Sequence, residues 1–133
     1  MPTVPNPLRA IGVVACAIVI LAASVSDPGD TSAPRTLFGI GFTVYLHFIA
    51  YAGLAGAIGH AVLSADRRAL LVAALLATLY GVGIELLQGT LSYRTMAAGD
   101  AAINAVGAAL GAACWWLIAP LFGVPRARLL TSQ

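Results

Sequence analysis

This sequence predicts an all-α integral membrane fold, a bundle of four transmembrane helices with both termini on the cytoplasmic side. Three observations predict it. Of 133 residues, 60% are hydrophobic and only 9% are charged, whereas soluble domains are roughly 45–50% apolar and about 25% charged. The apolar residues fall into four runs, each long enough to cross a hydrocarbon layer of about 30 Å, for which about 20 residues suffice. Arginines gather at one set of chain breaks and acidic residues at the other. One membrane domain accounts for residues 1–133 and leaves no room for a separate soluble domain.

The first run is Leu8 to Ser26, the second Leu37 to Leu63, the third Ala69 to Gly89 and the fourth Asp100 to about Phe122. Backbone groups in lipid must be paired within the chain, and too few segments exist to close a barrel, so each run reads as a helix. The first helix also has the order of a signal peptide: Arg9, an apolar stretch, then small residues around Ser24 and Ser26. Its apolar core is long for such a segment, which favours a retained span over about 8–26. "DPGDTSAPR" breaks the chain after it with two prolines and a glycine. The second run is too long for a single crossing, so its beginning is expected along the interface and the span itself over about 43–63. The short, charged "SADRR" leads into the third span, about 69–89. "TLSYRTMAAG" is a polar interruption before the fourth, about 100–122.

Basic residues are retained on the cytoplasmic side. Arg9, Arg67, Arg68, Arg126 and Arg128 share one face with Asp66 alone opposing them, while Arg35 and Arg94 face Asp27, Asp30 and Asp100 on the other. The expectation is a multi-pass protein of the cytoplasmic membrane with the N- and C-termini inside. The net charge of +2 comes from arginines at helix ends and speaks to topology; no nucleic-acid partner is expected. All seven basic residues are arginine, so no lysine is available as a Schiff-base nucleophile. Cys16 and Cys114 lie inside apolar runs, where a thiol behaves as a small hydrophobe. Trp115 and Trp116 fit either an aromatic belt at the inner interface or contacts with neighbouring helices. His60 reads as interfacial, and Gly53, Gly56 and Gly59 as close helix contacts.

Against this apolar background one stretch stands out, "ELLQGTLSYRTMAAGDAAINAVGAALG", from Glu85 to Gly111. At 1.5 Å per residue, His47, Glu85 and Asn104 each lie about 6 Å inside the outer end of their helix. Polar residues share a face on each: His47 with Tyr51, Glu85 with Gln88, Asp100 with Asn104. Gly107 and Gly111 continue that face as a small-xxx-small pattern for close helix packing. Ionisable groups inside a membrane cost about 2.5–3.5 kcal/mol each on insertion scales and are usually turned inward and paired. Glu85 therefore needs a partner, and the candidates at its depth are His47, Tyr51, Gln88, Asn104 and Arg94, the last folding over the cluster from its loop. The first helix is expected to add nothing polar.

The order His47-x3-Tyr51, then Glu85-x2-Gln88-x5-Arg94-x5-Asp100-x3-Asn104-x2-Gly107-x3-Gly111, resembles the VanZ-like family of small integral membrane proteins over about Thr43 to Gly111. The resemblance implies the same placement of helices and a role in the cell envelope, the family name coming from glycopeptide (teicoplanin) resistance. Thr43 and Val44 stand where the family commonly has Asp-Lys, so no headgroup contact or charge relay of that pair is carried over.

Three chemistries fit the residues. In the first, His47 and Glu85 act catalytically as base and partner, while Tyr51, Gln88, Arg94, Asp100 and Asn104 bind a membrane lipid or lipid-linked anionic precursor; histidine changes charge near neutral pH and arginine grips phosphate or carboxylate bidentately. In the second, the cluster only fixes helix packing or binds a partner protein, with Asp100 as the N-cap of the fourth helix. In the third, His47, Glu85 and Asp100 ligate a metal, which ligand type permits but which Arg94 and the lack of close His/Cys spacing oppose. No cofactor or metal is therefore expected. The sequence leaves the oligomeric state open.

Overall fold

A computed structural model describes residues 7–27, 29 and 35–126. It contains four long helices, α1 (Pro7–Val25), α2 (Phe42–Val62), α3 (Arg67–Gln88) and α4 (Ala98–Ile118), the last extended by a 3-10 turn over Ala119–Phe122. All four are long and apolar enough to cross a membrane. Asp30 and Arg128, two charges in the orientation argument, lie outside the described residues.

The helices are apolar nearly all round, as a lipid-facing bundle must be. Large hydrophobic side chains such as Ile18, Leu71, Leu75, Leu79, Val106 and Leu110 stay exposed on the outside, while the interior is built mainly from small residues: Ala55, Ala73, Ala77, Ala108 and Ala112. Without a hydrophobic force between helices, close backbone approach is what holds them. The approach is closest between α2 and α4. A Cβ at Gly107 would sit 2.5 Å from the carbonyl oxygen of Phe48, and one at Gly111 would collide with the backbone of Ala52. Gly59 makes room for the Trp115 ring in the same way. Gly53, by contrast, has nothing within 4 Å of its missing Cβ and is exposed, so it faces outward and is not the close contact expected of it.

Two elements differ from the sequence reading. The start of the second apolar run forms a small hairpin, Thr36–Leu37 paired antiparallel with Ile40–Gly41, turning through Phe38 and Gly39, both at positive φ. Tyr45 on α2 donates to the Leu37 carbonyl and ties the hairpin down. The fourth helix begins two residues early. Its N-cap is Ala97, with no side-chain cap from within the helix, so Asp100 is a first-turn residue and the capping role read for it is corrected. Asp66 does cap α3, its carboxylate accepting from the Ala69 amide over 2.8 Å.

At the end of the bundle that carries the α2–α3 turn, Trp115 is fully packed and its indole N–H donates to the Ser64 carbonyl over 2.8 Å. Of the two environments read for the tryptophans, Trp115 takes the helix-contact one. His60 packs edge-on against Trp115 and Phe122. The two cysteines are free.

Candidate functional site

At the opposite end, three helices bring their polar side chains to one place. His47 is in the second turn of α2, Glu85 in the last turn of α3 and Asp100 in the first turn of α4. One ligand-capable atom from each lies within 4.8 Å of the others. His47 Nε2 is 3.9 Å from Asp100 Oδ2. On its other side the ring donates from Nδ1 to Asn104 Oδ1 over 3.0 Å; with an amide oxygen as partner, Nδ1 is the nitrogen that carries the proton.

Glu85 is only 3% exposed. Its Oε2 accepts from the Ala97 amide over 3.2 Å, which puts the carboxylate against the positive end of α4 and supplies from α3 the cap that α4 lacks. Its Oε1 has no hydrogen-bond partner among the described residues. Asn104 is completely buried and Tyr51 nearly so, and both fit because residue 81 is glycine: a Cβ there would lie 2.9 Å from the Tyr51 ring and 3.1 Å from Asn104 Nδ2. The sequence reading missed Gly81. The signal available for it was the small-residue spacing Ala73, Ala77, Gly81, all buried on one face of α3.

Gln88 and Arg94 go elsewhere. Gln88 Nε2 donates to the Ser24 carbonyl, Arg94 donates to the carbonyls of Ala23 and Ser26, and Tyr93 donates to that of Val25. These are the terminal carbonyls of α1 and the residue after it, which have no partners within the helix. The first helix was expected to add nothing polar, but Ser24 lines the cleft beside His47, and the carbonyls of residues 23–26 supply four acceptors, a contribution the side-chain reading overlooks. Arg94 is drawn toward α1 and forms no ion pair with Glu85 or Asp100 among the described residues.

Between α1, α2 and the end of α3 lies a cleft of about 270 Å³, lined on its polar side by His47, Tyr51, Gln88 and Arg94 and on its apolar side by Ile20, Leu46 and Ala50. The Tyr51 hydroxyl and Arg94 Nε are buried, with no hydrogen-bond partner among the described residues. Thr43 lines the same cleft. His47 is the hinge of the arrangement: it faces this cleft and also lies near the two carboxylates, 3.9 Å from Asp100 and within 4.8 Å of Glu85.

A family model described as VanZ/LLP1 matches residues 20–119. The chain belongs to the VanZ/LLP1 family. No curated protein and no solved structure matches it. Every residue of the cluster and of the cleft falls inside the matched VanZ/LLP1 segment, as does the C-terminal part of α1 that receives Gln88, Tyr93 and Arg94.

Proposed function

We propose that this VanZ/LLP1 protein binds, and acts on, a lipid-linked anionic headgroup or cell-envelope precursor at the outer face of the cytoplasmic membrane. The observation that supports this reading is the cleft, whose wall joins apolar side chains of α1 and α2 to two residues, Tyr51 and Arg94, that each keep a buried donor without a partner. Buried donors left unpaired cost about 1–3 kcal/mol each, and the oxygens of an anionic headgroup would satisfy both while its acyl chains lie along Ile20 and Leu46. His47 would serve as general base, since it touches the cleft and has Asp100 beside it to stabilise the proton it takes. Glu85 would set the charge of that pair. The arginine asymmetry, read with both termini inside, supports the outer-face placement, and the glycopeptide-resistance link of the family suits a headgroup of the envelope.

Glycopeptide susceptibility and binding of anionic-headgroup vesicles, measured on Glu85→Gln and His47→Ala proteins, test the proposal. Loss of either readout in both variants, at near-normal thermal stability in detergent, is expected. Full activity in both, with normal folding, would remove it.

A second reading has its own support. The hydrogen bonds from Gln88, Tyr93 and Arg94 to α1 carbonyls are of the kind that ties helices together. A purely structural cluster predicts that Glu85→Gln lowers thermal stability in step with any functional loss.

A further inference from the structure

We propose that His47, Glu85 and Asp100 bind a divalent transition-metal ion, with zinc the best match to the ligand set. The starting point is an imbalance of hydrogen-bonding groups. The proton on Nδ1 is committed to Asn104, so the nitrogen turned toward Asp100 is Nε2, an acceptor in the neutral ring. Nε2 lies 3.9 Å from Asp100 Oδ2, and one ring nitrogen of His47 and one carboxylate oxygen each from Glu85 and Asp100 lie within 4.8 Å of one another. Three acceptors therefore converge, and among the described residues the donor that reaches them is the Ala97 amide, on Glu85 Oε2. The other Glu85 oxygen is buried with no hydrogen-bond partner among the described residues.

Charge makes the same point. Two carboxylates bring two negative charges into a low-dielectric bundle, where an uncompensated charge is costly. The chain has no lysine, and Arg94, the cation that the sequence places over the cluster, hydrogen-bonds α1 instead. Arg94 still lines the cleft that His47 faces, but its hydrogen bonds run to α1 and it forms no ion pair with Glu85 or Asp100 among the described residues. A divalent cation bound by one neutral imidazole and two carboxylates makes the group neutral overall.

The ligand types and their support fit this ion. Zinc takes histidine nitrogen and carboxylate oxygen at about 2.0–2.2 Å, which sets neighbouring ligand atoms about 3.4 Å apart in a tetrahedron. The 3.9 Å His47–Asp100 separation is close to that, and both side chains keep some freedom, with 19% and 35% of their surface exposed. Glu85 is the fixed member. Asn104 is the outer group that ligating histidines ordinarily have, holding the other ring nitrogen and so fixing tautomer and orientation. Three protein ligands leave a fourth position, on the side where His47 and Asp100 are exposed. The site does not rest on the headgroup reading; if both hold, that fourth position is where a phosphate or carboxylate oxygen binds, and His47 acts as a metal ligand in place of the general base.

The full chain, purified without a histidine tag and stripped with chelator, is titrated with Zn²⁺ and followed by elemental analysis and by ¹⁵N spectra of its two histidines. One zinc per chain is expected, with the Nε2 resonance of one ring moving to the metal-bound position, and the same movement in His60→Gln protein. Glu85→Gln and Asp100→Asn should weaken zinc binding at least about 100-fold, and Asn104→Ala about 10–100-fold through loss of ring orientation. Failure of the wild-type chain to take up zinc in a saturable way overturns the proposal. So does an Nε2 that titrates as a protonated nitrogen unaffected by zinc, or binding that survives Glu85→Gln undiminished. The wild-type spectra decide the matter even where a variant does not fold.

Discussion

Two aspartates near helix starts show how one residue type acquires different work. Asp66 precedes α3, accepts from the Ala69 amide and from the Ser64 hydroxyl over 2.7 Å, and caps the helix. The Ser64 hydrogen bond, with the backbone N–H of Ala69, holds its carboxyl below the ordinary carboxylate range. Asp100 sits one turn too deep to cap α4 and faces His47 instead. The cap of Asp66 therefore has a pH signature. A carboxylate held low in the folded protein stabilises it above the unfolded value of 3.8, and that contribution disappears as pH falls through the folded value. Asp66→Ala should cost about 1 kcal/mol at neutral pH and nothing once Asp66 is protonated in both states. Unfolding in detergent as a function of pH checks this, and a difference that persists undiminished into strong acid would assign the loss to something other than the carboxylate.

At the scale of elements, the α2–α4 contact is where the bundle is least forgiving. Gly107 and Gly111 meet backbone atoms of α2, which cannot move aside as the end of a flexible side chain can. Gly111→Ala should lower thermal stability by about 1–3 kcal/mol, the usual cost of forcing a methyl group into filled space. Gly53→Ala, on the same α2 but facing open space, should be neutral or stabilising by up to about 1 kcal/mol through helix propensity. Equal losses in the two variants would mean that α2 and α4 do not pack through the Gly107–Gly111 face. The glycine spacing made this contact legible in the sequence, and the span boundaries followed from apolar run length to within two residues. The hairpin at 36–41 did not, because its residues are as apolar as the helix that follows, and Gly39 and Gly41 read no differently from the other glycines of the run. The start of α4 was misplaced for a different reason. A cap is ordinarily sought in the preceding few residues, and here it arrives from Glu85 on another helix.

The molecule as a whole carries polar chemistry at one end and aromatic packing at the other. His47, Tyr51 and Glu85 were legible as a cluster because a carboxylate in hydrocarbon must find partners at its own depth. The destinations of Gln88 and Arg94 were not, since the groups they reach are backbone carbonyls of α1, and carbonyls carry no sequence signature. Both the headgroup proposal and the metal proposal depend on one geometric claim, that α2 and α3 bring His47 and Glu85 together inside the bundle. Glu85 is the single glutamate in the chain, and the other histidine, His60, lies at the far end of α2, so an unambiguous distance measurement is available. Protein carrying ¹⁵N-histidine and ¹³C-carboxyl glutamate, reconstituted in lipid bilayers, is examined by dipolar recoupling between the two labels. A carboxylate oxygen within 4.8 Å of the His47 ring predicts clear dephasing that vanishes in His47→Gln protein; dephasing no greater in the wild-type chain than in that variant would contradict the account.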